Sequence, residues 1–252
     1  MIVDVHAHLG YDEVFERDFS REELLAGHQA NGVDVSIVQP STAIDLPGAR
    51  ERHDAIAALL AEFPGQFAGM ACHNPHLDNE AYLGEARRCV RDMGFVGLKL
   101  HTLAHALWPA SKAGRRVFAV ARELDVPVMI HTGSGLPWAS PAQVLPIARE
   151  FPAVRVVLAH SGTQILATDA LAVAQVCHNV YLETSWVPGH LIKAFVRALG
   201  PERVMFGSDQ GYNVAIELFK YRGIGLTDAE LEWVLGRTSV QVYRLRTKPG
   251  PS

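Results

Sequence analysis

The chain begins Met1-Ile-Val-Asp-Val-His-Ala-His-Leu-Gly10, and this stretch decides between the two folds that a chain of this length allows. Ile2–His6 is a short apolar run, which is typical of a buried strand. An open, doubly wound α/β sheet would need a glycine-rich phosphate turn directly after its first strand. The turn here reads His-Ala-His-Leu-Gly and lacks that glycine pattern. The stretch therefore disfavours the open sheet.

Eight short apolar runs recur along the chain and alternate with amphipathic segments. Most are rich in Val, Ile and Leu on both alternating sets of positions, as in parallel strands that are covered on both faces. Eight β-then-α units in 252 residues predict an α/β fold, a single (β/α)8 TIM barrel over residues 1–246, with 247–252 as a C-terminal tail. The predicted strands are Ile2–His6, Val33–Gln39, Phe67–Cys72, Phe95–His101, Pro127–His131, Arg155–His160, Asn179–Thr184 and Arg203–Gly207, and the last predicted helix is Thr227–Leu245.

Composition excludes several classes of partner. The net charge is −4 and no basic run occurs, so we expect neither nucleic acid nor an anionic membrane as a partner. The longest apolar runs have the length of strands, which argues against a transmembrane helix, and we expect no secretory signal before the first strand. Three widely spaced cysteines fit reduced thiols. These features predict a cytoplasmic protein that acts on a small molecule, and they leave a homo-oligomer open.

Polar side chains stand where the predicted strands end, which is where barrel enzymes build their sites. His6 and His8 lie on the same face of the first strand because side chains alternate, and two such imidazoles can share a cation. Each polar residue alone fits an ordinary core or surface position, but the joint pattern predicts an active site. The further members are His73, Lys99, His101, His131, His160 and Asp209. His28 and His53 lie on helical segments and are expected to face solvent.

Together these stretches resemble the amidohydrolase superfamily, in particular the amidohydrolase-related branch that contains aminocarboxymuconate-semialdehyde decarboxylase. The matching stretches keep the family's order and span nearly the whole chain: Val3–His8, Gly94–His101, Pro127–Gly133, Val156–Gly162, Asn179–Ser185 and Val204–Asp209. The resemblance implies a single divalent metal held by His6, His8, His131 and Asp209. It also implies that His160 contacts or activates the metal-bound water.

The chemistry of these residue types agrees with that assignment. Three imidazoles and a carboxylate form a mixed nitrogen and oxygen site that suits zinc and leaves positions open for water or substrate. Such a metal lowers the pKa of bound water toward ~7. We therefore predict His160 as the catalytic base and Asp209 both as a ligand and as a proton carrier. The alternative for Asp209 is a helix N-cap after the last strand.

Five further residues are predicted to bind substrate: Lys99, His101, His73, Trp138 and Trp186. An unmodified Lys99 is the favoured interpretation. A carboxylated lysine that supports a second metal, and a charge that holds a substrate carboxylate or carbonyl oxygen, are left open. The two tryptophans follow strands five and seven, where they either wall a pocket or pack one loop against another.

Four functions compete for this pattern. The leading hypothesis is a metal-dependent hydrolase that directs a metal-activated water at an amide, ester or lactone of a small molecule. The second is a metal-dependent non-oxidative decarboxylase of a small carboxylic acid, and the third is a metal-free lactonase-like relative. The fourth is a non-enzymatic binding module, against which the ring of titratable groups argues. Release of carbon dioxide would support the second hypothesis, and incorporation of water would support the first.

Overall fold

A curled nine-stranded sheet wrapped by helices is seen in the computed structural model, which describes residues 1–133 and 135–246. The strands are β1 Val3–Asp12, β2 Arg17–Phe19, β3 Val35–Pro40, β4 Phe67–Ala71, β5 Gly97–Leu100, β6 Val128–His131, β7 Val156–Ala159, β8 Val180–Glu183 and β9 Val204–Met205. All neighbouring pairs from β1 and β3 through β9 are parallel, and β2 pairs antiparallel with β1. The predicted tail, residues 247–252, lies outside the described residues, and the single domain over 1–246 stays a prediction.

The last strand returns to the first. Backbone hydrogen bonds from Val5 N to Phe206 O (3.2 Å) and from Asp209 N to His6 O (2.6 Å) join the end of β9 to β1. The predicted (β/α)8 barrel is therefore confirmed, and each of the eight predicted strands overlaps an observed one. The β1–β2 hairpin was not predicted. Asp12 closes its turn, because the Asp12 carboxylate accepts from the backbone N–H groups of Val14 and Phe15.

Ten α-helices cover the sheet in the described part of the chain. They are α1 Arg21–Ala30, α2 Leu46–Glu62, α3 Asn79–Arg87, α4 Lys112–Leu124, α5 Leu145–Glu150, α6 Ala167–Val176, α7 Gly189–Leu199, α8 Val214–Gly223, α9 Asp228–Glu232 and α10 Thr238–Tyr243. α8 was not predicted, because Ile216 and Phe219 are exposed on it and blur the apolar periodicity. None of the helices in residues 1–133 and 135–246 has the length and apolar character that a membrane span requires.

The strands divide the core into two layers. Val157 and Met205 belong to the cluster inside the barrel, and their sequence neighbours Leu158 and Val204 belong to the cluster under the helices. β1 departs from this alternation, because its pairing with β3 shifts register between Asp4 and Ala7. Such an irregularity re-aims side chains within one strand. Val3 and Val5 consequently fill the barrel interior, whereas Ala7 and Leu9 pack outward and His6 and His8 face inward.

Candidate metal centre and active site

Three donor atoms, from the first strand and from the stretch after the last strand, converge at the top of the barrel. His6 Nε2 and His8 Nε2 lie 3.2 Å apart, and Asp209 Oδ1 lies 3.4 Å from each of them. Ligand atoms around a tetrahedral ion with ~2.05 Å bonds stand about 3.3 Å apart. These three atoms, called the donor set below, therefore fit a single divalent cation. The mixture of imidazole nitrogen and carboxylate oxygen suits zinc or manganese.

Two further histidines complete the ring that was predicted. His131 ends β6 and His160 follows β7, and their ring centroids lie 5.0 Å apart. The His160 ring also lies 4.8 Å from that of His6, and both His131 and His160 line one cavity with His8 and Asp209. The structure thus brings together all five residues that were predicted as ligands or base, and their individual roles stay predictions.

Glu183, at the end of β8, contacts both His6 and His160. It was not identified from the sequence. Its fully buried carboxylate accepts from His6 Nδ1 (2.9 Å), from the His160 backbone N–H (2.9 Å) and from the Ser185 hydroxyl (2.9 Å). His160 Nδ1 lies 2.8 Å from the same Ser185 hydroxyl oxygen. An ionised carboxylate only accepts, so Ser185 donates to it and must accept from His160 Nδ1.

This chain of hydrogen bonds assigns the tautomers of two histidines. Protons on His6 Nδ1 and His160 Nδ1 leave the Nε2 atom of each ring with its lone pair available for a cation or a proton. Gly207 provides the room, because a Cβ there would lie 2.4 Å from Glu183 Oε1. A carboxylate at the end of a strand, opposite a glycine in the neighbouring stretch, is the sequence signal that could have identified Glu183.

Burial sets the ionisation of the imidazoles. It lowers the pKa of His6 and His131 well below the usual range and lowers the pKa of His160 to about 4. These rings are therefore neutral near pH 7, which is the form that binds a metal or accepts a proton. Burial opposes ionisation of Asp209, but the adjoining His6 and His8 outweigh it and hold the pKa of this carboxyl well below its usual range.

Lys99 reaches the donor set from β5. Its Nζ lies 3.0 Å from His6 Nε2 and 3.7 Å from the sulfur of Met129, and the side chain is buried. Burial lowers the pKa of Lys99 to about 8, so the amine loses its proton more readily than that of an exposed lysine. Its contact with a predicted ligand favours a role at the metal centre.

The other predicted substrate residues fall in different places. His101 lines the cavity and stacks on His131 at 4.6 Å between centroids. Trp186 lies beside Asp209, to which its indole N–H donates (2.8 Å). Trp138 packs edge-to-face on Trp108, at 6.3 Å between centroids, and is absent from the described lining of the cavity.

His73 needs a correction, because the structure does not bring it to the cavity. Its Nε2–H donates to the carbonyl oxygen of Tyr82 (2.9 Å), and the centroids of the two tilted rings lie 4.2 Å apart. His73 therefore lies among the helices, where Tyr82 of α3 holds it. His28 and His53 are likewise buried rather than solvated, and His53 binds the carboxylate of Glu85 (2.7 Å).

The walls of the cavity come largely from residues that sequence analysis did not assign. Phe15, Arg17 and Phe19 belong to the β1–β2 hairpin, and Leu103 belongs to the loop after β5. The Arg17 guanidinium lies 5.0 Å from the centre of the Phe19 ring and donates to the side chain of Gln210. The cavity measures about 160 Å³. A cavity of ~150 Å³ accommodates benzene, so this one has the size of a single ring.

The family-level comparison agrees with the motifs and the geometry. Residues 3–245 match the amidohydrolase family model. The chain belongs to the amidohydrolase family. The γ-resorcylate decarboxylase of Rhodococcus jostii (strain RHA1) is 26% identical over 262 residues, covering 81% of this chain and 78% of the relative. The predicted membership of the superfamily is thus confirmed, and the chain is an enzyme of that superfamily.

Solved structures share the fold along almost the whole chain. A 2,6-dihydroxybenzoate decarboxylase complexed with 2,6-dihydroxybenzoate matches with a TM-score of 0.75 and 19% identity, over 97% of this chain and 99% of the other. The 5-carboxyvanillate decarboxylase of Novosphingobium aromaticivorans, complexed with manganese and a nitrobenzoic acid, matches with a TM-score of 0.78 and 16% identity, over 97% and 96%.

The predicted hydrolase activity is wrong. The curated relative that matches four-fifths of the chain is a decarboxylase, and so are these solved structures. The physical reason for the error is that three imidazoles and a carboxylate around one ion serve both reactions, because they set the charge at the site and not the bond that breaks. Zinc was predicted as the metal, whereas the structural relative holds manganese.

Proposed function

We propose that this chain is a metal-dependent, non-oxidative decarboxylase of a carboxylic acid that carries one aromatic ring. The observation that carries the proposal is the juxtaposition of the donor set with a cavity of about 160 Å³ whose walls include Phe15, Phe19 and Leu103. The apolar residues fit the faces of a ring, and a cation held by the donor set would attract an anionic substituent. The names of the relatives supply the reaction class.

In this proposal His6, His8, His131 and Asp209 hold the ion, which when bound supplies a Lewis acid that polarises the anionic substrate. The metal is manganese or zinc, since both accept this mixture of ligands. Lys99, whose Nζ lies 3.0 Å from His6 Nε2, adds positive charge for the substrate whenever it is protonated. His101 and the hairpin phenylalanines hold the ring in place.

The chemical step is a replacement of carbon dioxide by a proton. A C–H bond forms at the ring carbon that carries the carboxylate, the C–C bond to the carboxylate breaks, and its electron pair returns to the ring. Asp209 carries this proton on its carboxyl group, and neutral His160 receives or returns protons at Nε2. The pKa of Asp209 lies well below its usual range, so its carboxyl group is a strong acid whenever it carries a proton. Protonation of a ring carbon requires a strong acid.

The surroundings of the ion are arranged before substrate arrives. Glu183 and Ser185 fix the orientation of His6 and His160, so neither ring reorganises during the reaction. Phe15 and Phe19 line the cavity from the hairpin and offer apolar surface to the ring. A cytoplasmic location and the absence of nucleic acid or membrane partners stay predictions.

The test uses protein reconstituted with Mn²⁺ or Zn²⁺ and a panel of single-ring hydroxybenzoates that includes 2,6-dihydroxybenzoate. We expect release of carbon dioxide and, in deuterated water, one deuterium at the carbon that held the carboxylate. Asp209→Asn should abolish this release, whereas the exposed control Asp125→Asn should retain it. A metal-loaded protein that releases no carbon dioxide from any member of the panel would contradict the proposal.

A further inference from the structure

We infer that Trp186 is a positioning residue, which orients the Asp209 carboxylate so that one oxygen is held back and the other faces the donor set. The inference rests on the proposed role of Asp209 as a metal ligand. It assigns the tryptophan to the metal centre, rather than to the wall of a substrate pocket as its place in the loop after β8 suggested.

The geometry separates the two oxygens of Asp209. The Trp186 indole N–H donates to Oδ2 at 2.8 Å, whereas Oδ1 lies 3.4 Å from both His6 Nε2 and His8 Nε2. The Gln210 side-chain amide is a second and longer contact to Oδ2, at 3.4 Å. The indole nitrogen carries a hydrogen and has no lone pair to accept with, so this contact to Oδ2 can only be a donated hydrogen bond. It therefore selects Oδ1 as the oxygen that is presented to a metal.

Burial does not explain the position of this tryptophan. Its side chain is 41% exposed, and its backbone φ is +63°, a left-handed conformation that a bulky residue rarely adopts. Asp209 is left-handed too, with a φ of +68°. Residues persist in such conformations where their surroundings hold them, typically at functional sites.

Glu217 holds the backbone of Trp186 in this left-handed conformation. Its carboxylate accepts from the Trp186 backbone N–H at 3.0 Å, and Asn213 and Lys220 in turn donate to Glu217. Glu217 is itself buried at the start of α8. The helix that follows β9 thus fixes the loop that follows β8, and the indole is aimed at the carboxylate instead of the core. The hydrogen bond to Asp209 is the contact that this arrangement secures.

The first measurement is the dissociation constant for Mn²⁺, by competition with a chromophoric chelator. Trp186→Phe keeps an aromatic ring and removes the N–H, and we expect it to bind Mn²⁺ roughly 10 to 100-fold more weakly, the usual effect of losing a partner of a metal ligand. The matched control is Trp108→Phe, which is 44% exposed in the loop after β5 and should bind as the native protein does. Trp186→His keeps a ring N–H and should recover part of the affinity.

The second measurement follows tryptophan emission during titration with Zn²⁺, which does not itself quench fluorescence. We expect a change in the native protein and in Trp108→Phe, and none in Trp186→Phe. Native affinity for Mn²⁺ in Trp186→Phe would overturn the inference, as would an equal loss in Trp186→His. A variant that changes only the KM for substrate would also overturn it. A native protein that binds neither ion would instead overturn the proposed metal centre itself.

Discussion

Replacement of Glu183 by glutamine isolates the contribution of one buried carboxylate to the metal centre. The side chain keeps its size, but an oxygen becomes an NH₂ group. Oε2 accepts from His6 Nδ1, the His160 backbone and the Ser185 hydroxyl, each at 2.9 Å, and Oε1 accepts from the Ser185 backbone N–H at 2.5 Å. Glutamine can supply an oxygen for only one of these two positions. At the other, its NH₂ group opposes a backbone or side-chain donor.

The magnitude follows from that count. With the amide oxygen in the place of Oε2, the buried Ser185 N–H is left without an acceptor, which costs about 1–3 kcal/mol. The three remaining hydrogen bonds lose their assistance from charge, which roughly halves each, and the smaller desolvation cost of an amide offsets part of that loss. A net loss of ~3 kcal/mol lowers the Tm of a chain of this size by roughly 6–12 °C. Because His6 becomes a weaker base, the dissociation constant for Mn²⁺ should rise about 10 to 100-fold.

The matched control is Glu85→Gln. Glu85 is also fully buried and also accepts from a histidine Nδ1, that of His53 at 2.7 Å, but it lies away from the donor set and binds Arg50 and Arg88. We expect this variant to lower the Tm without changing the dissociation constant for Mn²⁺. Calorimetry on the metal-free proteins and chelator competition measure the two quantities. The reasoning is refuted if Glu183→Gln binds Mn²⁺ within threefold of native, or if Glu85→Gln weakens binding equally.

Three further predictions concern the metal, the two histidines and the response to acid. Removal of divalent ions with a chelator should abolish carbon dioxide release, and Mn²⁺ or Zn²⁺ should restore it; activity that survives in metal-free protein argues against the proposal. His131→Ala should lose metal and turnover together, whereas His160→Ala should keep most of the metal and lose ~10²–10⁴-fold in turnover, as metal analysis paired with rates will show. Burial lowers the pKa of His105 to about 4. Between that value and pH ~6.5 the folded protein therefore binds fewer protons than the unfolded chain, so the contribution of His105 to stability is complete above pH ~6.5 and is lost as the pH falls toward 4. Denaturant titrations at pH 7 and pH 5 should show a stability loss smaller by roughly 2 kcal/mol in His105→Leu, and equal losses would contradict this.

The alternation of strands and helices could be predicted from the sequence because parallel strands covered on both faces are apolar at successive positions. The same rule failed for the details of β1. Strict alternation places Val3, Val5 and Ala7 on one face, yet the register shift after Asp4 sends Ala7 outward. The hairpin to β2 depends on Asp12, whose carboxylate accepts hydrogen bonds from the backbone of its own turn. Hydrophobic periodicity does not predict that contact.

The predicted ligands could be identified because each stands at the carboxyl end of a strand, where a barrel gathers its polar residues. Partners that lie one contact further from the ion could not be found in this way. Glu183 reaches His6 across 177 residues of chain, and His53 reaches Glu85 between two helical segments. A buried histidine on a helix has the same local sequence as a solvated one, because the carboxylate that makes burial tolerable comes from elsewhere in the fold.

The reaction class is the part of the function that the ligand pattern is least able to specify. An ion held by imidazoles and a carboxylate polarises water and carboxylated substrates alike. What separates hydrolysis from decarboxylation is the space around the ion: hydrolysis needs a water beside a scissile carbonyl, and decarboxylation needs a dry ring carbon beside an acid. Here the space has a volume of about 160 Å³, and Phe15, Phe19 and Leu103 line it together with Asp209 and other polar residues. Two of these three apolar residues come from the β1–β2 hairpin, so the element that the strand pattern did not predict supplies much of the apolar surface that a ring would contact.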